Sequence, residues 1–337
     1  MSLLDNVWVV LGVKLAVAVV VVFAVALVIM FAELKVSAHM QSRIGPYFAG
    51  GRWGWAQVFA EALKFLQKED LVPKEADGPV FRLAPMVSLL GTFAVIVIIP
   101  LSPVLVAGNL DVGIFYALAA GSVSTIAILM AGWSSGNKYS LIGGLRAGAQ
   151  LIAYELPLVL AVVGVVIQAG TMSMVGITEA QAQPVFHLGG VGISLPYALQ
   201  GQIIGFVIFM IAALAELVRI PFDMPVAESE LVMGYLTEYS GIRFTMFLLG
   251  EYAGMLAMSA IASVLFLGGY HFWGLNADWF GPFVLLGKAL ILVFLMIWFR
   301  WTWPRLREDQ LQSLAWRWLV PIALANIAVT ATLKVML

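Results

Sequence analysis

The 337-residue chain contains no cysteine. It can therefore hold no disulfide and no cysteine-ligated iron–sulfur cluster. Histidine is nearly as scarce: His39, His187 and His271 lie far apart, without the spacing of metal ligands. Only 11% of residues are charged and the net charge is −1, a balance that points to no nucleic-acid partner. No G-x-x-x-x-G-K-[ST] phosphate loop is present. If the chain takes part in redox chemistry, the electron carriers belong to another polypeptide.

Apolar length is what the sequence has in excess. Hydrophobic residues make up 62% and the mean hydropathy is +0.99, against about 45–50% apolar in a soluble domain. Eight windows reach membrane-spanning length, at about 7–32, 83–106, 113–133, 151–170, 198–219, 243–268, 281–302 and 315–335. The first is too long for the ~7–15-residue apolar core of a signal peptide. The runs are continuous, not alternating, which argues against a β-barrel. The expectation is an all-α polytopic membrane protein, with eight transmembrane helices in a single domain over residues 1–337. Fifteen of the eighteen Lys and Arg residues fall in the connections after spans one, three, five and seven. The positive-inside rule puts those connections in the cytoplasm and both termini on the outer side.

The connection over residues 33–82 contains GWAQVFAEALKFLQKED. Gln57, Glu61, Lys64 and Lys68 recur at spacings of four, three and four, one face of a helix. Val58, Phe59, Ala62, Leu63, Phe65 and Leu66 fill the other side, with Trp53 and Trp55 just before. This predicts an amphipathic helix over residues 53–70, lying at the membrane interface or beside a groove that admits a lipophilic ligand.

Carboxylates gather where the fifth span ends, in LAELVRIPFDMPVAESELVMGYLTEY: Glu216, Asp223, Glu228, Glu230 and Glu238. Pro221 lacks a backbone donor, so the helix should end or kink there. A turned loop with inward carboxylates is expected over residues 219–243. Glu155 and Glu251 place acids in two further apolar runs. An ionised group at mid-span costs about 2.5–3.5 kcal/mol on insertion scales. Such acids either pair with Arg146, Arg219 or Arg243, or carry protons along a hydrated path. Their number around one broken helix favours the path.

Two further stretches stand out. In GWSSGNKYSLIGGLRAGAQLIAYELPL, Gly143, Gly144, Ala147 and Gly148 permit close helix approach. FRWTWPRLREDQLQSLAW sets Arg300, Arg305 and Arg307 near Asp309 among tryptophans, suited to a membrane anchor, a polar head group or an acidic partner.

Taken in order, MQSRIGP, KFLQKE, WSSGNKYSLIGGLRAGAQLIAYELPL, AELVRIPFD, ESELVMGYLTEYSG, EYAGM and PRLREDQL resemble the NuoH subunit family of respiratory complex I. Its mitochondrial equivalent is subunit 1 of NADH dehydrogenase. The resemblance implies an eight-span membrane subunit of proton-translocating NADH:quinone oxidoreductase, with quinone as substrate. By the same resemblance, Arg43, Glu61, Arg219, Phe222, Asp223, Arg300 and Arg305 belong to the quinone tunnel, and Glu155, Glu216, Glu228, Glu230 and Glu251 to the proton path. It implies no cofactor on this chain alone; FMN, iron–sulfur clusters and NADH belong to partner subunits. Its other partners are membrane and peripheral subunits of the complex and membrane lipid. It implies a bacterial-type cytoplasmic membrane, with a mitochondrial or other energy-transducing membrane as the alternative. Leu34, Tyr47 and Val226 depart from the family's usual residues. The alternative functions are the related subunit of a membrane-bound hydrogenase or ferredoxin-driven quinone reductase, an autonomous ion transporter, and a passive assembly scaffold.

Overall fold

The computed structural model describes residues 7–188, 191–272 and 277–336. Its helices are α1 (Val7–Met40), α2 (Gln57–Gln67), α3 (Gly78–Val97), α4 (Gly113–Ser134), α5 (Lys138–Ala169) and α6 (Met174–Ala182). Strands β1 (Pro184–Leu188) and β2 (Val191–Ser194) pair as a small antiparallel hairpin, the one departure from an all-α chain among the described residues. Then follow α7 (Ile203–Glu216), α8 (Glu228–Leu231), α9 (Gly241–Phe266), α10 (Ala277–Thr302), α11 (Glu308–Ser313) and α12 (Val320–Met336).

Eight helical segments are long and apolar enough to cross a membrane, as the hydropathy windows predict. The protein is an all-α polytopic membrane protein. α9 lies at its centre: 78% of its apolar window is buried, against 22% for the last span. The α5 helix starts thirteen residues before the window that predicts it, because Lys138, Arg146 and Gln150 dilute the local hydropathy. Its start is set by Asn137, whose side chain accepts a hydrogen bond from Tyr139 N at 2.8 Å. The expected small-residue packing is present. A Cβ on Gly132 would stand 2.8 Å from Gly144 Cα, and one on Gly143 2.7 Å from Gly234 Cα.

The amphipathic helix forms as α2, shorter than the sequence pattern. Val58 is buried and Phe65 packs against Phe244 at 5.8 Å, while Phe59, Leu63 and Leu66 form an exposed apolar stripe. Beyond it, Arg243 Nη2 meets Asp70 Oδ2 at 3.1 Å and Ser240 Oγ donates to Glu69 O at 3.1 Å, tying the segment after α2 to the start of α9.

The predicted break after α7 is present. The helix stops at Glu216, Val218 takes a positive φ of 53°, and the Ile220–Pro221 bond is cis. Backbone groups freed inside a membrane protein must find partners. Gln150 of α5, 2% exposed, provides them: its Nε2 donates to Ala215 O and to Phe222 O, each at 2.7 Å. Leu306 N donates to Pro221 O at 3.1 Å, joining the break to the segment before α11.

Candidate functional site

Arg219 leaves this break and is 5% exposed. Its Nη1 donates to both carboxylate oxygens of Glu33, each at 3.0 Å. Its Nε stands 2.7 Å from Glu251 Oε1, and its guanidinium lies 4.8 Å from the Tyr252 ring centroid. Arg300 of α10 bonds the same Glu33 carboxylate. Two guanidiniums and two carboxylates, from α1, α9, α10 and the break, thus share one cluster of zero formal charge, with Arg219 and Glu33 buried and Arg300 and Glu251 half-buried. Pairing is what makes such burial tolerable, since each lone ion costs several kcal/mol. Burial works against the Arg219 charge, but Glu251 and Glu33 outweigh it and hold the guanidinium more firmly protonated than usual.

Asp223 stands beside the cluster, accepting from Arg305 Nη2 at 2.8 Å. Burial pushes its carboxyl above the ordinary range, and the Arg305 and Arg300 guanidiniums pull it partly back. Arg219, Asp223, Glu251 and Arg300, with Glu228, Tyr235 and Tyr252, wall a cavity of about 190 Å³. Behind it lies a smaller one, of about 80 Å³, lined by Ser88, Thr92, Ser124, Glu216 and Glu251. Its size, with hydroxyls and two carboxylates set among mostly apolar walls, admits a few waters. Glu251 and Tyr235 line both cavities. Gly121 leaves space at Glu216, for a Cβ there would stand 3.3 Å from Glu216 Oε1. Glu155, half-buried on α5, is within electrostatic reach of Glu216.

The structure therefore gathers Arg219, Asp223, Arg300, Arg305 and Glu251, and connects Glu216 to them through the second cavity. Other expected positions lie elsewhere. Glu228 and Glu230 are exposed, contrary to the expectation of inward carboxylates. The one-turn helix α8 buries Leu231 and turns both acids outward; Glu228 reaches the rim of the first cavity, and Glu230 meets Arg146 Nη1 at 2.6 Å. The Phe222 ring lines neither cavity; it is 1% exposed and packs edge-on to Tyr154 at 5.2 Å. Arg43 sits in the exposed turn after α1, donating to Gln41 Oε1 at 2.7 Å. Glu61 accepts from Gln57 Nε2 at 3.1 Å within α2. Neither touches the cluster. Arg219 pairs with Glu33 and Glu251, and no Arg219–Glu216 ion pair occurs among the described residues.

Glu33 is the site residue that the sequence pattern passed over. Its signal was an acid at the end of a 26-residue apolar run, in the stretch MFAELKVS. Ser88 and Thr92, one turn apart on α3, carried another signal: hydroxyls on one face of a predicted span. Among the described residues, no group of three or more His, Asp or Glu is placed to hold a metal ion.

Residues 13–331 match a protein-family model described as NADH dehydrogenase. The chain belongs to the NADH dehydrogenase family. Every residue of the cluster and of the two cavities lies inside the matched region. Among its relatives, the H subunit of NADH-quinone oxidoreductase from Bacillus mycoides (strain KBAB4) is 47% identical over 308 residues, covering 90% of this chain and 87% of that one. The equivalent protein of Anoxybacillus flavithermus (strain DSM 21510 / WK1), which bears the same name, is 46% identical over the same shares of both chains. Membership in the NADH dehydrogenase family agrees with the resemblance carried by the sequence motifs.

Proposed function

We propose that the chain is the quinone-site membrane subunit of a proton-translocating NADH:quinone oxidoreductase, seated in a bacterial cytoplasmic membrane with both termini outward. Its partners are the complex's other membrane subunits and the peripheral subunits that carry NADH, FMN and the iron–sulfur clusters. The 190 Å³ cavity belongs to the quinone chamber, and the 80 Å³ cavity begins the proton path through Glu216 and Glu155.

The observation that carries this reading is the position of Glu251. One carboxylate is ion-paired to Arg219 and lines both cavities. Reduction of a quinone to a quinol takes two electrons from the partner subunits and two protons. Negative charge arriving in the first cavity competes with Glu33 and Glu251 for Arg219. Loosening the Arg219–Glu251 pair alters the proton affinity of Glu251 and, across the second cavity, that of Glu216. Moving one charge through 100 mV takes about 2.3 kcal/mol, or roughly two pKa units. A change of partner at a buried carboxylate is of that size.

A photoreactive quinone bound to the intact complex tests the chamber. Adducts are expected around residues 43–70 or 219–230. Adducts confined to residues 107–112 or 171–197 would overturn the assignment.

A further inference from the structure

Glu251 and Tyr235 both line the two cavities, and the coupling through the Arg219–Glu251 pair makes no use of the tyrosine. Tyr235 sits in the short turn Gly234–Leu236, between α8 and α9. The turn is held from several sides. Ser140 Oγ of α5 donates to Gly234 O at 3.2 Å, and Thr237 Oγ1 donates to the same carbonyl at 2.7 Å. Gly234 has a φ of 55°, and a Cβ there would overlap Pro225 O, so only glycine lets the turn close against the broken segment. A Cβ on Gly143 would stand 2.7 Å from Tyr235 N, so α5 abuts the tyrosine's own backbone. The ring packs edge-on to Phe247 of α9, with centroids 5.8 Å apart. Backbone and ring are thus both fixed, and the residue is 8% exposed.

Phenylalanine would serve that packing as well. The hydroxyl is what tyrosine adds, and it lies within electrostatic reach of Glu251, Asp223 and Arg219. Burial, with the two carboxylates, pushes the phenol well above its ordinary range and outweighs Arg219, so it stays neutral. A neutral phenol has one O–H to donate and lone pairs that accept. Between two polar cavities it can take a proton on one side while releasing its own on the other. One O–H bond forms, one breaks, and the residue never ionises. Rotation about the C–O bond then resets it. Glu251 is tied to Arg219 at 2.7 Å, whereas the phenol carries no charge for an ion pair to hold.

We propose that the Tyr235 hydroxyl is the link through which protons cross between the two cavities. The proposal rests on the reading of these cavities as quinone chamber and proton path.

Tyr235→Phe in the intact complex, reconstituted in vesicles, tests it. The variant keeps the ring against Phe247, so complex abundance on a native gel and the KM for quinone should stay at the wild-type values. The kcat for quinone reduction and the coupled proton uptake should fall together by about a hundredfold, the lower end of what a positioned proton-transfer group contributes. The ratio of rates in H2O and D2O should rise, because proton transfer then limits turnover. 3-Fluorotyrosine incorporated at position 235 keeps the hydroxyl and should restore turnover. Glu216→Gln, measured beside it, separates a failure of this link from a failure of the whole path. Wild-type kcat and isotope effect in Tyr235→Phe, with Glu216→Gln inactive, would remove Tyr235 from a path that still stands. Wild-type turnover in both variants would overturn the path as well. A loss of assembled complex, or a raised KM with kcat unchanged, would make the hydroxyl a structural or binding group and overturn the proposal.

Discussion

Arg219 Nη1 stands 3.0 Å from each carboxylate oxygen of Glu33, and the two residues come from α1 and from the broken segment that follows α7. Arg300 holds the same carboxylate from α10. One acid at the end of the first span therefore bridges a buried and a half-buried guanidinium and ties three elements together around the 190 Å³ cavity.

Removing that acid should be costly. Glu33→Ala leaves Arg219 with Glu251 alone and Arg300 without its carboxylate, and breaking a buried pair costs about 3–5 kcal/mol. Assembled complex on a native gel should fall sharply. Glu230→Ala removes a pair whose side chains are 25% and 49% exposed, an exposed class worth about 0–1 kcal/mol, and should leave assembly intact. Equal abundance of the two variants would refute the structural weight given to Glu33.

Gly121 lines the 80 Å³ cavity, and a Cβ there would stand 3.3 Å from Glu216 Oε1. Gly121→Val should fill it while the complex still assembles. Coupled proton uptake and quinone reduction should both drop severalfold, and Gly121→Ala should lie between. Full turnover in an assembled Gly121→Val complex would show that the cavity carries nothing.

Asp223 has a folded-state carboxyl raised by burial despite Arg305. A raised carboxyl means that the folded state holds its proton at a pH where the unfolded state has lost it. Stability from this group is therefore greatest below the unfolded pKa and is lost as pH rises through the folded one. In thermal melts of the complex, the difference between wild type and Asp223→Asn should shift in favour of wild type as pH falls through that window. A difference that does not change with pH would exclude the titration.

The fold was legible because its signals are long. Eight apolar windows survive errors of several residues at each edge, and Pro221 marks a break that no neighbouring residue can mend. Individual site residues were legible only where chain position decides them. Arg219 and Asp223 flank the proline, so both had to lie at the break. Glu33 joins Arg219 across 186 positions, a pairing set by how α1 packs, and no local pattern encodes it. Glu228 and Glu230 face outward and not inward for the same reason: the packing that buries Leu231, which no local pattern encodes, turns both to the surface. The Phe222 ring went to the core because Tyr154 of α5 offers it an aromatic face.

The central claim is that Glu216 passes protons that quinone reduction sets in motion. Proton uptake and quinone reduction by vesicles containing Glu216→Gln, with complex abundance measured on the same preparation, test it most directly. Gln keeps the shape of a protonated Glu and Arg219 is paired elsewhere, so normal abundance is expected together with a severe loss of both activities. Normal abundance with normal coupled turnover would contradict the account.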